Sequence, residues 1–142
     1  MKQGNRILIR GTNWIGDSVM SLAALREVRR LFPHHHLTLL VRDWVAALFE
    51  NQGLVDEILP LDTTSPNLRT VFQLLAKFRH FSSALLFQNA FQAALMTRLA
   101  GIPERIGYNT DGRALLLTRR ARPRDRDATG TRRARVSRCS GR

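Results

Sequence analysis

The sequence predicts a doubly wound α/β domain, and three observations carry that prediction. Short apolar runs rich in branched aliphatic residues alternate with amphipathic runs of helical period. Glycine, proline or a short polar stretch stands between most neighbouring runs. Repeated β-α units of this length imply parallel strands with helices on both faces of the sheet.

Taken in order, residues 6–10 (RILIR) form a short apolar strand that Gly11 ends. Residues 17–31 read as a helix, with Val19, Leu22, Leu25 and Val28 on one stripe and Arg26, Glu27, Arg29 and Arg30 off it. Phe32-Pro33 closes that helix. Residues 36–42 (HLTLLVR) are the second strand, followed by a helix over 43–51 that Gly53 breaks. Residues 55–61 are the third strand. Leu68, Val71, Phe72, Leu75 and Phe78 trace another helical stripe, 84–87 is the fourth strand, and 91–100 is a helix stopped by Gly101-Ile102-Pro103. Residues 104–108 (ERIGY) are the fifth strand.

Right-handed crossovers make a Rossmann-like strand order of 3-2-1-4-5 the simplest topology. Strands one and four are then neighbours at the switch point, and the loops leaving them diverge. Ligands of such sheets bind in that crevice. The loops to inspect are therefore 11–17 and 88–90.

Composition bounds the rest. The chain has 142 residues, 44% of them apolar, which suits one buried core. No apolar run approaches the ~20 residues of a membrane span. The start, MKQGNRILIRG, lacks the pattern of a secretory signal. A single cysteine, Cys139, excludes an internal disulfide framework. The expected location is cytoplasmic. The net charge is +12, but residues 118–142 hold ten arginines and two aspartates, so most of the charge sits there. That stretch has one branched aliphatic residue, Val136, and is expected to be disordered. The expected division is a folded domain over 1–117 and a basic tail over 118–142.

The loop GTNWIGD carries the most chemistry. Gly11 and Gly16 permit tight turns and close backbone approach. The helix that follows offers free N–H groups and a positive dipole end. The loop is neither a dinucleotide fingerprint nor a Walker A loop, because Asp17 stands where the lysine would be. Asp17 reads two ways: a helix N-cap, or a general base that takes a proton from a substrate hydroxyl. Spacing does not choose between them. Asn13, Trp14, Gln88 and Asn89 lie on the crevice loops, with Asn89 equally readable as a cap. Arg10, Arg42, Arg105 and Arg113 lie at or just past strand ends, where each guanidinium reads first as a solvated surface group and otherwise as a grip for phosphate or carboxylate. His34, His35 and His36 adjoin no carboxylate in sequence, and no metal site is expected. No serine or cysteine sits in a nucleophile elbow.

Several of these segments together resemble a known family. They are ILIRGTNWIGDSVMSLAALREVRRLFP, LTLLVRDWVAALF, VDEIL, LLFQNAFQAAL and GIPERIGYNTDGRALLLT. In register over about 7–118 they resemble the N-terminal half of bacterial lipopolysaccharide heptosyltransferases, in glycosyltransferase family 9. The GTNWIGD loop and the GIPERIGY–DGR–LLT run are the most specific parts. The resemblance implies a GT-B fold, in which the N-terminal domain grips the acceptor and the C-terminal domain binds the donor. The implied donor is ADP-L-glycero-β-D-manno-heptose. The implied acceptor is the lipopolysaccharide inner core, heptosyl-Kdo2-lipid A, with peripheral contact at the inner face of the cytoplasmic membrane. Transfer without a metal or other cofactor and with inversion of the anomeric centre is likewise implied. The family's G-D aspartate falls on Asp17, which becomes the expected general base. Arg10, Asn13, Gly16, Ser18, Asn89 and Arg105 are the expected substrate-binding residues.

The chain departs from the family after ALLLT. A complete member is more than twice as long, whereas here the sequence turns arginine-dense. A frameshift or gene fragment accounts for such a tail, and a chain without the donor half is expected not to turn over alone. Two other classes compete with the enzyme reading. One is a small nucleic-acid-binding protein using the tail, against which residues 1–117 show no recognition motif. The other is a Rossmann-like binding module without catalysis.

Overall fold

The computed structural model describes residues 5–61, 73, 76–88, 91–108, 113–121 and 137–138. The elements are β1 (Arg6–Arg10), α1 (Ile15–Leu31), β2 (His36–Arg42), α2 (Asp43–Ala46), β3 (Glu57–Leu61), β4 (Ser83–Leu86), α3 (Phe91–Leu99), β5 (Glu104–Tyr108), β6 (Arg119–Ala121) and β7 (Ser137–Arg138). A short 3-10 turn covers Arg113–Leu115. One sheet holds the strands in the order β3-β2-β1-β4-β5-β6-β7. Ladders from β3 to β6 are parallel, and β7 closes the edge antiparallel. The expected order 3-2-1-4-5 is the observed one.

Strict alternation along the central strands sends side chains to two cores. Ile7 and Ile9 of β1 join Leu37, Leu39 and Val41 of β2, Leu25 of α1, Val45 and Phe49 on one face. Leu8 and Leu40 join Phe78, Phe81, Ala84, Ala100 and Ile102 on the other. A third cluster of Leu86, Ala94, Leu116 and Leu117 extends that layering towards β5 and β6. Burial on both faces explains why RILIR and HLTLLVR read as continuous apolar runs.

Four expectations need adjusting. The first helix begins at Ile15, with Trp14 as its N-cap in extended conformation, φ −107 and ψ 139. The second helix ends at Ala46, and turns carry the chain to Asn51 and Gly53, both at positive φ (61° and 64°). Of the expected 68–78 stripe, residues 76–78 are helical and most of the rest lies outside the described residues. The expected disorder from 118 does not hold for residues 119–121, which extend the sheet as β6. An unpaired strand edge offers N–H and C=O groups to any backbone, so no apolar run is needed there. Thr118 starts the pairing by donating its N–H to the carbonyl of Arg105 at 3.0 Å. Arg119 adds an ion pair to Glu104 at 2.9 Å.

Candidate functional site at the β1/β4 switch point

β1 and β4 are adjacent, and their chains leave in different directions. Between them opens a cleft of about 340 Å³ lined by Thr12, Asn13, Trp14, Asp17, Phe87 and Gln88. Its two walls share a hydrogen bond at the last rung, where the Phe87 N–H donates to the Arg10 carbonyl at 3.0 Å. Gly11 passes directly over β2, with its N–H on the Leu40 carbonyl at 2.9 Å. A Cβ at Gly11 would collide with Val41 Cγ1, so only glycine fits this approach.

The loop then turns into α1. Ser18 is fully buried, and its Oγ lies 2.8 Å from Thr12 Oγ1. Asp17 precedes it in the first turn and is exposed towards the cleft. It is not the N-cap: that place belongs to Trp14, which makes no side-chain cap bond. Among the described residues Asp17 has neither a hydrogen bond nor an ion pair, so its carboxylate is open on the cleft side.

Arg10 behaves differently from the expected surface guanidinium. It is buried, at 6% exposure, and three acceptors take its protons. Nη1 donates to the carbonyls of Gly11 (3.0 Å) and Leu40 (3.1 Å), and Nη2 donates to Asn13 Oδ1 (3.0 Å). Burial, reinforced by the positive charge of Arg42, pushes its pKa down to about 10. Arg10 thus holds Asn13 rather than facing the cleft. Asn13 also accepts from Arg42 Nε at 3.4 Å, while its carbonyl accepts from Trp44 Nε1 at 3.3 Å.

The remaining expected residues divide clearly. Gly16 lies in the first turn of α1 with open space around it, so neither φ nor packing demands glycine there. Arg105 is not brought to the cleft. Its guanidinium folds back to the carbonyls of Ile102 (2.5 Å) and Leu116 (2.6 Å), near the start of β5 and away from the strand ends that form the cleft. Burial, with nearby Arg98, lowers its pKa. Asn89 lies outside the described residues. Among the described residues no three His, Cys, Asp or Glu side chains come together.

No family model matches the chain. The chain is 27% identical over 116 residues to lipopolysaccharide heptosyltransferase 2 of Escherichia coli K12, covering 79% of this chain and 33% of that protein. Against the protein of the same name from Salmonella typhimurium it is 28% identical over 127 residues, covering 87% and 36%. The solved E. coli ADP-heptose heptosyltransferase II superposes with a TM-score of 0.68 at 27% identity, over 79% of this chain and 33% of that one. The chain is heptosyltransferase-like. Fold likeness extends further, to an E. coli heptosyltransferase solved with ADP-2-deoxy-2-fluoro heptose, at TM-score 0.69 and 18% identity. The chain spans about a third of the length of the curated relatives it matches.

Within the heptosyltransferase-like domain, sequence reasoning overlooked Thr12 and Phe87 as cleft residues and Trp44 as a partner of Asn13. Trp44 is the second residue of α2, just after β2, and nothing in DWVAAL marks it as facing a loop 31 residues earlier. The available signal was the strand order, which sets the end of β2 beside that of β1.

Proposed function

We propose that this chain is the acceptor-binding part of a heptosyltransferase, which moves heptose from ADP-heptose to the inner core of lipopolysaccharide. Residues 1–117 form that domain in this reading. The observation that carries it is Asp17: an unpaired carboxylate in the first turn of α1, lining a cleft at the switch point of a sheet whose relatives are named heptosyltransferases. Asp17 takes the proton of an acceptor hydroxyl as the oxygen attacks the anomeric carbon of the heptose. The bond from that carbon to ADP breaks, and ADP leaves with the electron pair. In this reading donor binding belongs to the C-terminal domain of such an enzyme, outside the part of the relatives' length that the chain matches.

The acceptor is lipid-borne, which puts the domain at the inner face of the cytoplasmic membrane. Trp14, Ile15, Val19 and Met20, all half or more exposed beside the cleft, suit that setting. Among the described residues no helix is long and apolar enough to cross a membrane.

The test is heptose transfer from ADP-heptose to heptosyl-Kdo2-lipid A. It is run with the chain alone and with the donor-binding part of a full-length relative supplied separately. Turnover in the reconstituted mixture should fall about 100-fold or more with Asp17→Asn, the typical worth of a general base. Retained turnover in that variant refutes the assignment. So does failure of core oligosaccharide to shift the amide resonances of residues 11–17 in the isolated chain.

A further inference from the structure

At the opposite end of the sheet from the cleft lies a hollow that the transfer reaction does not use. It encloses about 380 Å³, and Arg6, Glu57, Leu59, Lys77, His80 and Phe81 line it. Arg6 and Glu57 are the first residues of β1 and β3, whereas the cleft opens where β1 and β4 end. The residue steps from Arg6 to Arg10 put roughly 13 Å between the two places. The volume is of the size that small-molecule sites have.

The backbone fixes cations at its rim. Phe78 and Phe81 are buried, and their rings meet edge to face with centroids 6.1 Å apart. The Phe81 N–H donates to the Phe78 carbonyl at 3.2 Å, which closes a turn with His80 exposed on it, and Lys77 is exposed just before it. Ser82 ties this segment to β1, with its N–H (3.0 Å) and its hydroxyl (2.9 Å) both donating to the Arg6 carbonyl. The Arg6 guanidinium lies over the Phe81 ring, 5.5 Å from its centroid.

Charge in the hollow is unbalanced. Glu57 is the one carboxylate among these lining residues, and its Oε2 is already shared. Thr38 Oγ1 donates to that oxygen at 3.2 Å, with His36 Nε2 at 3.5 Å and Arg6 Nη2 at 3.6 Å. Lys77 and His80 have neither a hydrogen bond nor an ion pair among the described residues. Their donors are unspent, and an imidazole has an N–H to give in either ionisation state. Leu59 and Phe81 add apolar wall beside these donors.

We infer that this hollow is a second binding site, which takes a phosphate monoester with an apolar or aromatic ester group. The phosphate oxygens accept from Lys77, His80 and Arg6, and the ester group lies against Leu59 and Phe81. A tetrahedral dianion suits donors that arrive from two separate segments, β1 and the turn before β4, better than a planar carboxylate does. Occupancy here requires nothing at Asp17, so the site stands apart from the acceptor reading.

The experiment uses the full 142-residue chain at about 0.15 M salt, which screens general attraction to its +12 charge. Phenyl phosphate, inorganic phosphate and phenol are each titrated by calorimetry, and amide resonances locate what binds. The expected result is saturable binding of phenyl phosphate, with shifts at residues 6, 59 and 77–81. Phosphate and phenol, each lacking half of the recognition, should bind about tenfold more weakly or worse. Lys77→Gln should weaken phenyl phosphate about tenfold, the scale of a lost charged hydrogen bond. Lys77 is exposed, so this change leaves the core untouched, and Lys77→Arg should retain most of the affinity. Absence of saturable binding overturns the proposal, as does phosphate or phenol binding as tightly as phenyl phosphate. Shifts confined to residues 11–17 or 119–138 overturn it too, and so does unchanged affinity in Lys77→Gln.

Discussion

The hydroxyls of Thr12 and Ser18 meet at 2.8 Å across the turn between β1 and α1. Ser18 is fully buried, so this contact fixes which side of the helix faces inward. Successive helical residues are rotated by about 100°, and turning Ser18 in turns Asp17 out to the cleft. Removing one hydroxyl strands the other. Thr12→Val and Ser18→Ala should each cost about 1 kcal/mol, and the double variant clearly less than the sum. Urea unfolding of the four proteins measures that coupling, and strict additivity would mean that the pair does not hold the loop.

The two glycines of the loop should respond in opposite directions. Gly11→Ala drives a methyl into Val41, a fully buried core residue, and should destabilise by about 1–3 kcal/mol. Gly16→Ala meets open space at a helical position and should stabilise by about 0.5 kcal/mol. Under the acceptor reading that added methyl crowds the first turn of α1 and weakens binding of core oligosaccharide. Unfolding midpoints together with calorimetry check both halves.

Arg10 is a buried charge, lowered in pKa first by that burial and further by the like charge of Arg42. Arg10→Met keeps the bulk and removes that conflict while releasing three acceptors. Stability should change by less than about 2 kcal/mol, because lost hydrogen bonds and relieved desolvation oppose each other. Asn13 loses one of the two donors on its Oδ1, so under the acceptor reading binding of core oligosaccharide at the cleft should weaken even where the fold stays intact. A large drop in stability with unchanged ligand response would show Arg10 to be a packing residue alone.

Asp56 sets an acid limit on the fold. Burial pushes its pKa up, but hydrogen bonds from Arg29 (2.7 Å) and the Leu37 N–H (2.7 Å), with the charges of Arg29 and His36, outweigh that and hold it below the ordinary 3.8. A depressed carboxylate pKa contributes stability above the unfolded value and loses it as pH falls through the folded one. Asp56→Asn should therefore lower the urea midpoint at pH 7 and flatten its decline below about pH 4. Parallel declines in the two proteins would assign the acid limit to other groups.

Much of this architecture was legible because both faces of the sheet are covered. RILIR and HLTLLVR have no polar alternation to blur their ends and were located to the residue, as was ERIGY, which the Gly101-Ile102-Pro103 stop sets off. The turn into α1 was harder. Cap preferences favour Asp over Trp, yet the bond from the Ser18 N–H to the Trp14 carbonyl starts the helix earlier and moves Asp17 into the first turn. Arg105 was misplaced for another reason. A strand position does not say which way a long side chain folds, and two nearby carbonyls captured this one. Asn13 and Trp14 were legible as cleft residues because loop 11–17 is local. Trp44 was not, because its role depends on a contact made across the sheet.

The bond from the Phe87 N–H to the Arg10 carbonyl has a kinetic corollary. It is the terminal rung of the β1–β4 ladder, so the floor of the recess cannot part without unzipping paired backbone. Under the acceptor reading, an incoming oligosaccharide finds these two walls already spaced, and little ordering entropy is lost there on arrival. Capture on this side should then follow encounter frequency rather than a slow gating motion of these strands.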